Sequence, residues 1–391
     1  MKKYVFIFFI ISSQIFGQNP IDALRPFWGY EYSQVLSNSI GNATVASGYI
    51  TPGLTSNPAN LAAIQFGYFQ LNFSNSGYNS NSSSVTNTGF NGIDLVHPVK
   101  VFRGRLVYSL GAHKKSDFIS NYQNNTSRFN EKGKLTSYHV AAALEFARNL
   151  YLGADFNFLY GNNEMTVLGN DKTYYYKPKY SGSNITLGLL HILSKNFQYG
   201  LSIDMPTSLS VKEKYIETNY PSDGNTFSQV YNYEAIKPIT LHFGAALLLK
   251  SVNFFYEGKQ TDWSNLEFDS NEIVELDGTP ASILINEEIR NIYTSTTSHH
   301  FGTAIKLRDT PINLFSGYQY IPTPFNSVDE ENINEVFARH AYNFGISLSL
   351  QKNITIQGSY ENYNVDIEDK SNNFERISIG LSLHDLSGFW N

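Results

Sequence analysis

The side chains best suited to chemistry in this chain are nine histidines and 34 carboxylates, and there is no cysteine among its 391 residues. That absence removes a disulfide scaffold, a thiolate metal site, a cysteine nucleophile and a lipidated N-terminal cysteine. His299 and His300 are adjacent in an alternating segment. Neighbours on a strand point to opposite faces, so these two cannot chelate one ion. Asp329, Glu330 and Glu331 make an acidic triplet whose spacing is not that of an oxygen-ligand loop, and it reads as a solvated loop tip. Asp94, His97 and Pro98 read as strand-edge residues. There is no Gly-x-Ser-x-Gly elbow and no His-Glu-x-x-His pair, and a dispersed triad has no signature of its own. The residues therefore assign no catalytic group, no metal and no cofactor, and the chain is not read as an enzyme.

The elements that hold these residues explain more than the residues do. Aromatics are 15% of the chain and Asp, Glu, Lys and Arg together only 16%, against roughly 25% charged in an ordinary soluble domain. Coiled coils and disordered chains do not have this composition. Mean hydropathy is -0.28, and no apolar run approaches the ~20 residues of a spanning helix. A formal net charge of -6 gives no basic surface for nucleic acid.

Residues 1–17 have the form of a secretory signal peptide: Lys2 and Lys3, a short apolar run from Tyr4 to Phe16, and small Gly17 before Gln18. After residue 65 the hydrophobic period is two. Tyr342, Phe344, Ile346, Leu348 and Leu350 alternate with Asn343, Gly345, Ser347 and Ser349. Ile377, Ile379, Leu381 and Leu383 alternate with Ser378, Gly380, Ser382 and His384. Such segments are strands with one apolar face. A soluble sandwich could bury that face against a second sheet, but segments of about 9–12 residues match the ~9–11 that cross a bilayer at a tilt. Tyr108, Tyr151, Tyr160, Tyr199, Tyr256, Tyr318, Tyr320, Tyr360 and Tyr363 lie at segment ends, as an interfacial girdle would. Short links at 147–149, 194–195, 250–251, 309–310 and 351–353 alternate with long polar stretches at 114–135, 161–180, 217–236, 261–297 and 322–340. These features together predict an all-β fold, a transmembrane antiparallel β-barrel of about fourteen strands over 65–391.

Residues 18–64 do not alternate. They carry Phe27, Trp28, Leu54, Leu61 and Ile64, too few apolar groups for a domain and too many for a linker, so they are expected to pack inside the barrel as a small N-terminal plug. Ser56-Asn57-Pro58 reads as a capped helix start. The stretch IGNATVASGYITPGLTSNPANLAAI (40–64), with Asn57, Pro58 and Ala59 at its centre, resembles the N-terminal hatch of the FadL/TodX family of outer-membrane long-chain fatty acid and hydrocarbon transporters. GKQTDWSNLEF (258–268) and FSGYQYIPTPF (315–325) are similar to two further family patterns, and ARNLYLGADFNFLYG (147–161) and GLSIDMPTSL (200–209) follow in the expected order.

The resemblance implies passive uptake of hydrophobic compounds such as long-chain fatty acids or hydrocarbons. It also implies a hatch formed around Asn57, Pro58 and Ala59, and sideways release through a gap in the wall. Pro98 is the candidate kink for that gap, and Trp263 is a candidate lumen or interface aromatic. The implied partners are a hydrophobic small-molecule ligand, outer-membrane lipids and the barrel-assembly machinery during biogenesis. The implied location is the outer membrane of a Gram-negative bacterium. A second reading is a FadL-like barrel acting as a scaffold or adaptor in protein secretion, with secretion-system proteins as partners. A greasy cavity lined by hatch and wall would favour transport, and a polar lumen with an apolar outer patch would favour the adaptor. A general porin fits less well, because a plug would block it.

Overall fold

The computed structural model describes residues 19–48, 56–80, 83–101, 105–123, 128–169, 172–219, 226–271, 280–326, 338–351, 353–367 and 370–385. The signal segment 1–17 and the acidic triplet 329–331 lie outside the described residues.

Fourteen strands form the wall. They are β1 (Tyr68–Ser80), β2 (Ser83–Lys100), β3 (Arg105–Gln123), β4 (Arg128–Ala147), β5 (Leu150–Leu168), β6 (Lys172–Ser194), β7 (Phe197–Asp204 continuing as Thr207–Asn219) and β8 (Thr226–Lys237 continuing as Thr240–Leu248). The wall goes on through β9 (Val252–Asp262), β10 (Ser295–Lys306), β11 (Ile312–Ile321), β12 (Arg339–Gln351), β13 (Ile354–Ile367) and β14 (Lys370–His384). Consecutive strands pair antiparallel. β14 returns to β1 from Asn373↔Asn79 to His384↔Tyr68, which closes the sheet and leaves no outer edge.

The apolar face of the alternation points outward. Phe344 is 55% exposed while its neighbour Asn343 is fully buried in the lumen, and Ile377, Ile379 and Leu381 likewise stand outside against buried Ser378 and Ser382. An outward apolar band around a polar interior is a surface matched to lipid, not to water. One rim has tight turns, with Asn149 (φ 62°) and Asp309 (φ 59°) in the left-handed region that such turns use.

At the other rim the structure corrects the sequence. Most of 114–135, 161–180 and 217–236 is strand rather than loop, and β6 alone runs 23 residues. Above exposed Tyr138 and Tyr160 the outward positions change to Lys134, Asn162, Glu164, Lys177, Lys179, Lys212 and Lys214. The strands continue into water there, so the apolar alternation that identified them disappears. The two long connections that remain are 263–294 and 322–338, and the first carries a helix.

The plug lies inside the barrel. It contains α1 (Pro20–Leu24), a two-residue strand at Tyr30–Glu31, α2 (Val35–Ser39) and a 3-10 helix (Pro58–Ala63). The Asn19 side chain caps α1 in a capping box with Asp22, and Asn57 caps the 3-10 helix through the Ala59 N–H at 3.0 Å. Val35, Ile40, Val45 and Ala59 are fully buried between plug and wall. The helix of the long connection is α3 (Ala281–Ile292).

Candidate functional site

The lower and middle lumen mixes buried polar groups, among them Gln70, Asn72, Ser109, Thr186, Ser202 and Gln357, with apolar ones such as Val96, Leu190, Phe255 and Phe315 that pack on the hatch. The upper part is apolar. Phe118, Leu135, Leu159, Tyr180, Leu209, Val211 and Tyr233 project inward from β3 to β8, and Trp263, Leu266, Phe268, Ile285 and Ile289 roof them from the connection that holds α3. Ala23, Leu24, Phe27 and Trp28 of the plug fill this chamber. Beside it a cavity of about 50 Å³ is lined by Trp28, Tyr30, Trp263 and Arg339, among others. That is room for roughly four waters, not for a hydrocarbon chain. A ligand in the chamber would take the space of Ala23, Leu24, Phe27 and Trp28.

Polar anchors hold that segment. Arg25 pairs with Asp22 at 2.5 Å and with Glu213 at 3.3 Å, and Tyr233 donates to the same Glu213 at 3.1 Å. Burial opposes the charge on Arg25, but Asp22 and Glu213 more than offset it, and its pKa lies well above the usual value. Arg339 stacks over Trp28 and Tyr30, at 4.5 and 4.8 Å from the ring centroids, and donates to the Trp28 and Gly29 carbonyls.

Below the chamber the plug closes a break in the wall. The β2–β3 ladder runs from Lys100↔Arg105 up to Gly92↔His113 and stops. At that height β2 carries a bulge at Asn91, which shifts its pairing with β1 between Asn72 and Phe73. Above it the free edge of β3 is taken by the plug strand, Tyr30 opposite Asp117 and Glu31 opposite Ser116. Arg376, fully buried on β14, fixes this arrangement. It bonds Glu361 at 2.6 Å and Asp117 at 3.1 Å, and donates to the Glu31 and Tyr30 carbonyls at 2.8 and 3.3 Å. Lys114 adds a second cation to Asp117 at 3.0 Å, and Tyr30 stacks on Phe374 with centroids 3.9 Å apart.

The lower hatch is seated by Glu257 and Asn57. Glu257 accepts from the Thr44 and Val45 N–H groups at 2.7 and 2.8 Å and from Ser56 Oγ at 3.0 Å, while His242 lies 2.8 Å from its other oxygen. Asn57 Nδ2 donates to Val45 O at 2.7 Å and to Leu189 O on β6 at 2.9 Å. Glycines on the lumen face make the space. A Cβ on Gly188, Gly200, Gly317 or Gly345 would fall 2.0–2.1 Å from Asn57, Val45, Gly41 or Ser39 respectively. The hatch backbone thus rests directly on the wall.

The residues singled out from sequence divide accordingly. Asn57, Pro58 and Ala59 are buried at the hatch–wall contact. Trp263 is a lumen aromatic, 6.1 Å from Trp28 in a T-shaped pair, with its Nε1 donating to Thr296. Pro98 does not kink the wall. It stays in register opposite Val107, two residues beyond the Tyr68↔Val96 end of the β1 ladder, an edge position where proline is tolerated. The bulge is at Asn91, seven residues earlier. Sequence reasoning also passed over Pro206 and Pro238. They interrupt β7 and β8 side by side, between the pairs Asp204↔Thr240 and Lys237↔Thr207. Above that point β8 pairs with a three-residue strand, Glu267–Asp269. Two prolines inside long alternating runs were the available signal. Asp94 is not a strand-edge residue either: it is fully buried and faces the lumen.

Among solved structures, the chain is similar to a FadL homologue from Pseudomonas aeruginosa, at 12% identity and a TM-score of 0.65 over 91% of this chain and 99% of that one. It is similar to the toluene transporter TbuX from Ralstonia pickettii, at 11% and 0.65 over 92% and 100%, and to the toluene transporter TodX from Pseudomonas putida, at 13% and 0.63 over 91% and 98%. The fold is that of the FadL and TodX channels. No protein-family model matches the sequence, and no curated protein does. At these identities the likeness is one of architecture, and it extends over about nine-tenths of the chain.

Proposed function

We propose that this protein is an outer-membrane channel of the FadL/TodX family, in a Gram-negative bacterium, for passive uptake of hydrophobic compounds such as long-chain fatty acids or hydrocarbons. The observation that carries the reading is the large buried apolar cluster at the top of the lumen, built jointly by wall, plug and the connection that holds α3. A water-filled pore offers an apolar solute nothing, whereas a buried apolar surface gains about 25 cal/mol per Å² removed from water. The compound enters under α3 and takes the place of Leu24, Phe27 and Trp28. Their displacement draws Tyr30 and Glu31 off β3, and the freed gap above Gly92 opens sideways at the outer edge of the apolar band. Similar folds in proteins named as toluene transporters and hydrocarbon channels support this class of ligand.

The test is mass spectrometry of lipids retained by the purified protein, with palmitate and toluene binding measured alongside. Wild type is compared with Phe268→Asp and Ile289→Asp. Near one apolar ligand per chain, weakened at least tenfold in both variants, supports the reading. A folded wild-type barrel with no affinity for either compound overturns it.

A further inference from the structure

Directly under the wall gap, three side chains converge that the uptake path does not use. Asp94 on β2 and His139 on β4 flank Gly111 of β3 in one cross-strand row, Asp94↔Gly111↔His139. His113 stands one row higher on β3, on the same lumen face, at the last rung of the β2–β3 ladder. One ligand atom from each of the three lies within 4.8 Å of the other two, and His139 Nε2 is 3.4 Å from Asp94 Oδ1. Gly111 creates the space between them. A Cβ there would meet Asp94 Oδ1 at 2.5 Å and His139 Cε1 at 2.6 Å.

The cluster is buried, and its carboxylate is only half engaged. Asp94 is fully buried, and His139 is only 3% exposed. Asp94 Oδ1 makes no hydrogen bond, while His139 Nε2, the nitrogen that faces it, also lies 3.2 Å from Ser109 Oγ, which sets the ring's orientation. A buried carboxylate oxygen is rarely left unbonded without a role. Asp94 Oδ2, by contrast, is engaged: Gln34 of the plug donates to it at 3.0 Å, which orients the carboxylate and leaves Oδ1 aimed at the histidines.

We propose that Asp94, His113 and His139 bind one divalent first-row transition ion such as zinc. Two imidazoles and a carboxylate are a donor set that suits such metals, with the remaining position open to water. Tetrahedral bonds of about 2.1 Å hold ligand atoms about 3.4 Å apart. The Asp94–His139 spacing already matches, and His113 closes the set by a side-chain rotation. The ion joins β2, β3 and β4 at the point where the gap begins, and through Gln34 it connects the wall to the plug.

The experiment uses the full mature barrel, stripped with a chelator in detergent and titrated with Zn2+, then with Co2+ for its visible spectrum. Zinc per chain is read by elemental analysis after buffer exchange. Asp94→Asn and His113→Gln are compared with His299→Gln, an outward-facing control. Heat-modifiable electrophoretic mobility reports folding. His113 makes no side-chain hydrogen bond among the described residues, so its variant keeps the fold even if Asp94→Asn does not. We expect one zinc per chain in wild type and His299→Gln, a tetrahedral or five-coordinate cobalt spectrum, and at least tenfold weaker binding in His113→Gln. Absence of stoichiometric zinc in folded wild type, or unchanged binding in folded His113→Gln, overturns the proposal.

Discussion

Arg376 and Asn57 carry the most weight per side chain. Arg376 lies between Glu361 and Asp117, with all three buried, and also holds two plug carbonyls. Removing one member of such a set leaves buried charge without compensation, which costs about 3–5 kcal/mol. Arg376→Ala is expected to lower the urea midpoint of the folded, fast-migrating band and to expose the 30–31 segment to protease. An unchanged midpoint would mean that Lys114 alone balances the site. Asn57→Ala removes two hydrogen bonds to carbonyls and the cap on the 3-10 helix, about 2–4 kcal/mol together. The barrel itself does not depend on these bonds. Limited proteolysis of the hatch should therefore speed up at least tenfold while barrel unfolding stays put, and equal loss of both would contradict this assignment.

At the scale of elements, the hatch is seated on glycine. Gly200→Ala puts a methyl 2.0 Å from the Val45 carbonyl, and no side-chain rotation relieves a clash with backbone. We expect the variant to fold but to hold its hatch loosely, with single-channel conductance in planar bilayers rising from near zero to open-pore levels. Sealed channels would show that the hatch shifts without leaving. The α3 roof gives a second test. Ile285→Asp should lower the affinity for palmitate at least tenfold, since Ile285 is buried against the chamber, and unchanged binding would move the chamber elsewhere. The wall was legible in the sequence because lipid imposes strict alternation on β12 and β14. The plug was legible because Asn57 and Pro58 announce a cap. The chamber was not. Leu135 and Tyr180 are inward residues at the ends of segments whose outward residues are Lys, Asn and Glu, so the pattern read as polar loop. Nor was the Asp94 cluster, because cross-strand neighbours such as Asp94, Gly111 and His139 are distant in sequence and only register brings them together.

The whole molecule is a closed wall with an internal break between β2 and β3, stoppered by its own N-terminal strand. Chamber, plug and gap form a single path only if Tyr30–Glu31 moves. The chain has no cysteine, so a cross-link can be placed without interference. Glu31 and Ser116 are directly opposed across the plug–β3 pair, and opposed antiparallel residues lie about 4.5–5.5 Å apart at Cα, within disulfide reach. The decisive measurement is uptake of radiolabelled palmitate by cells carrying Glu31→Cys with Ser116→Cys, oxidised and then reduced, each single variant serving as control. The account predicts uptake lost at least tenfold on oxidation and restored on reduction. Undiminished uptake with the strand covalently held on β3 would contradict it.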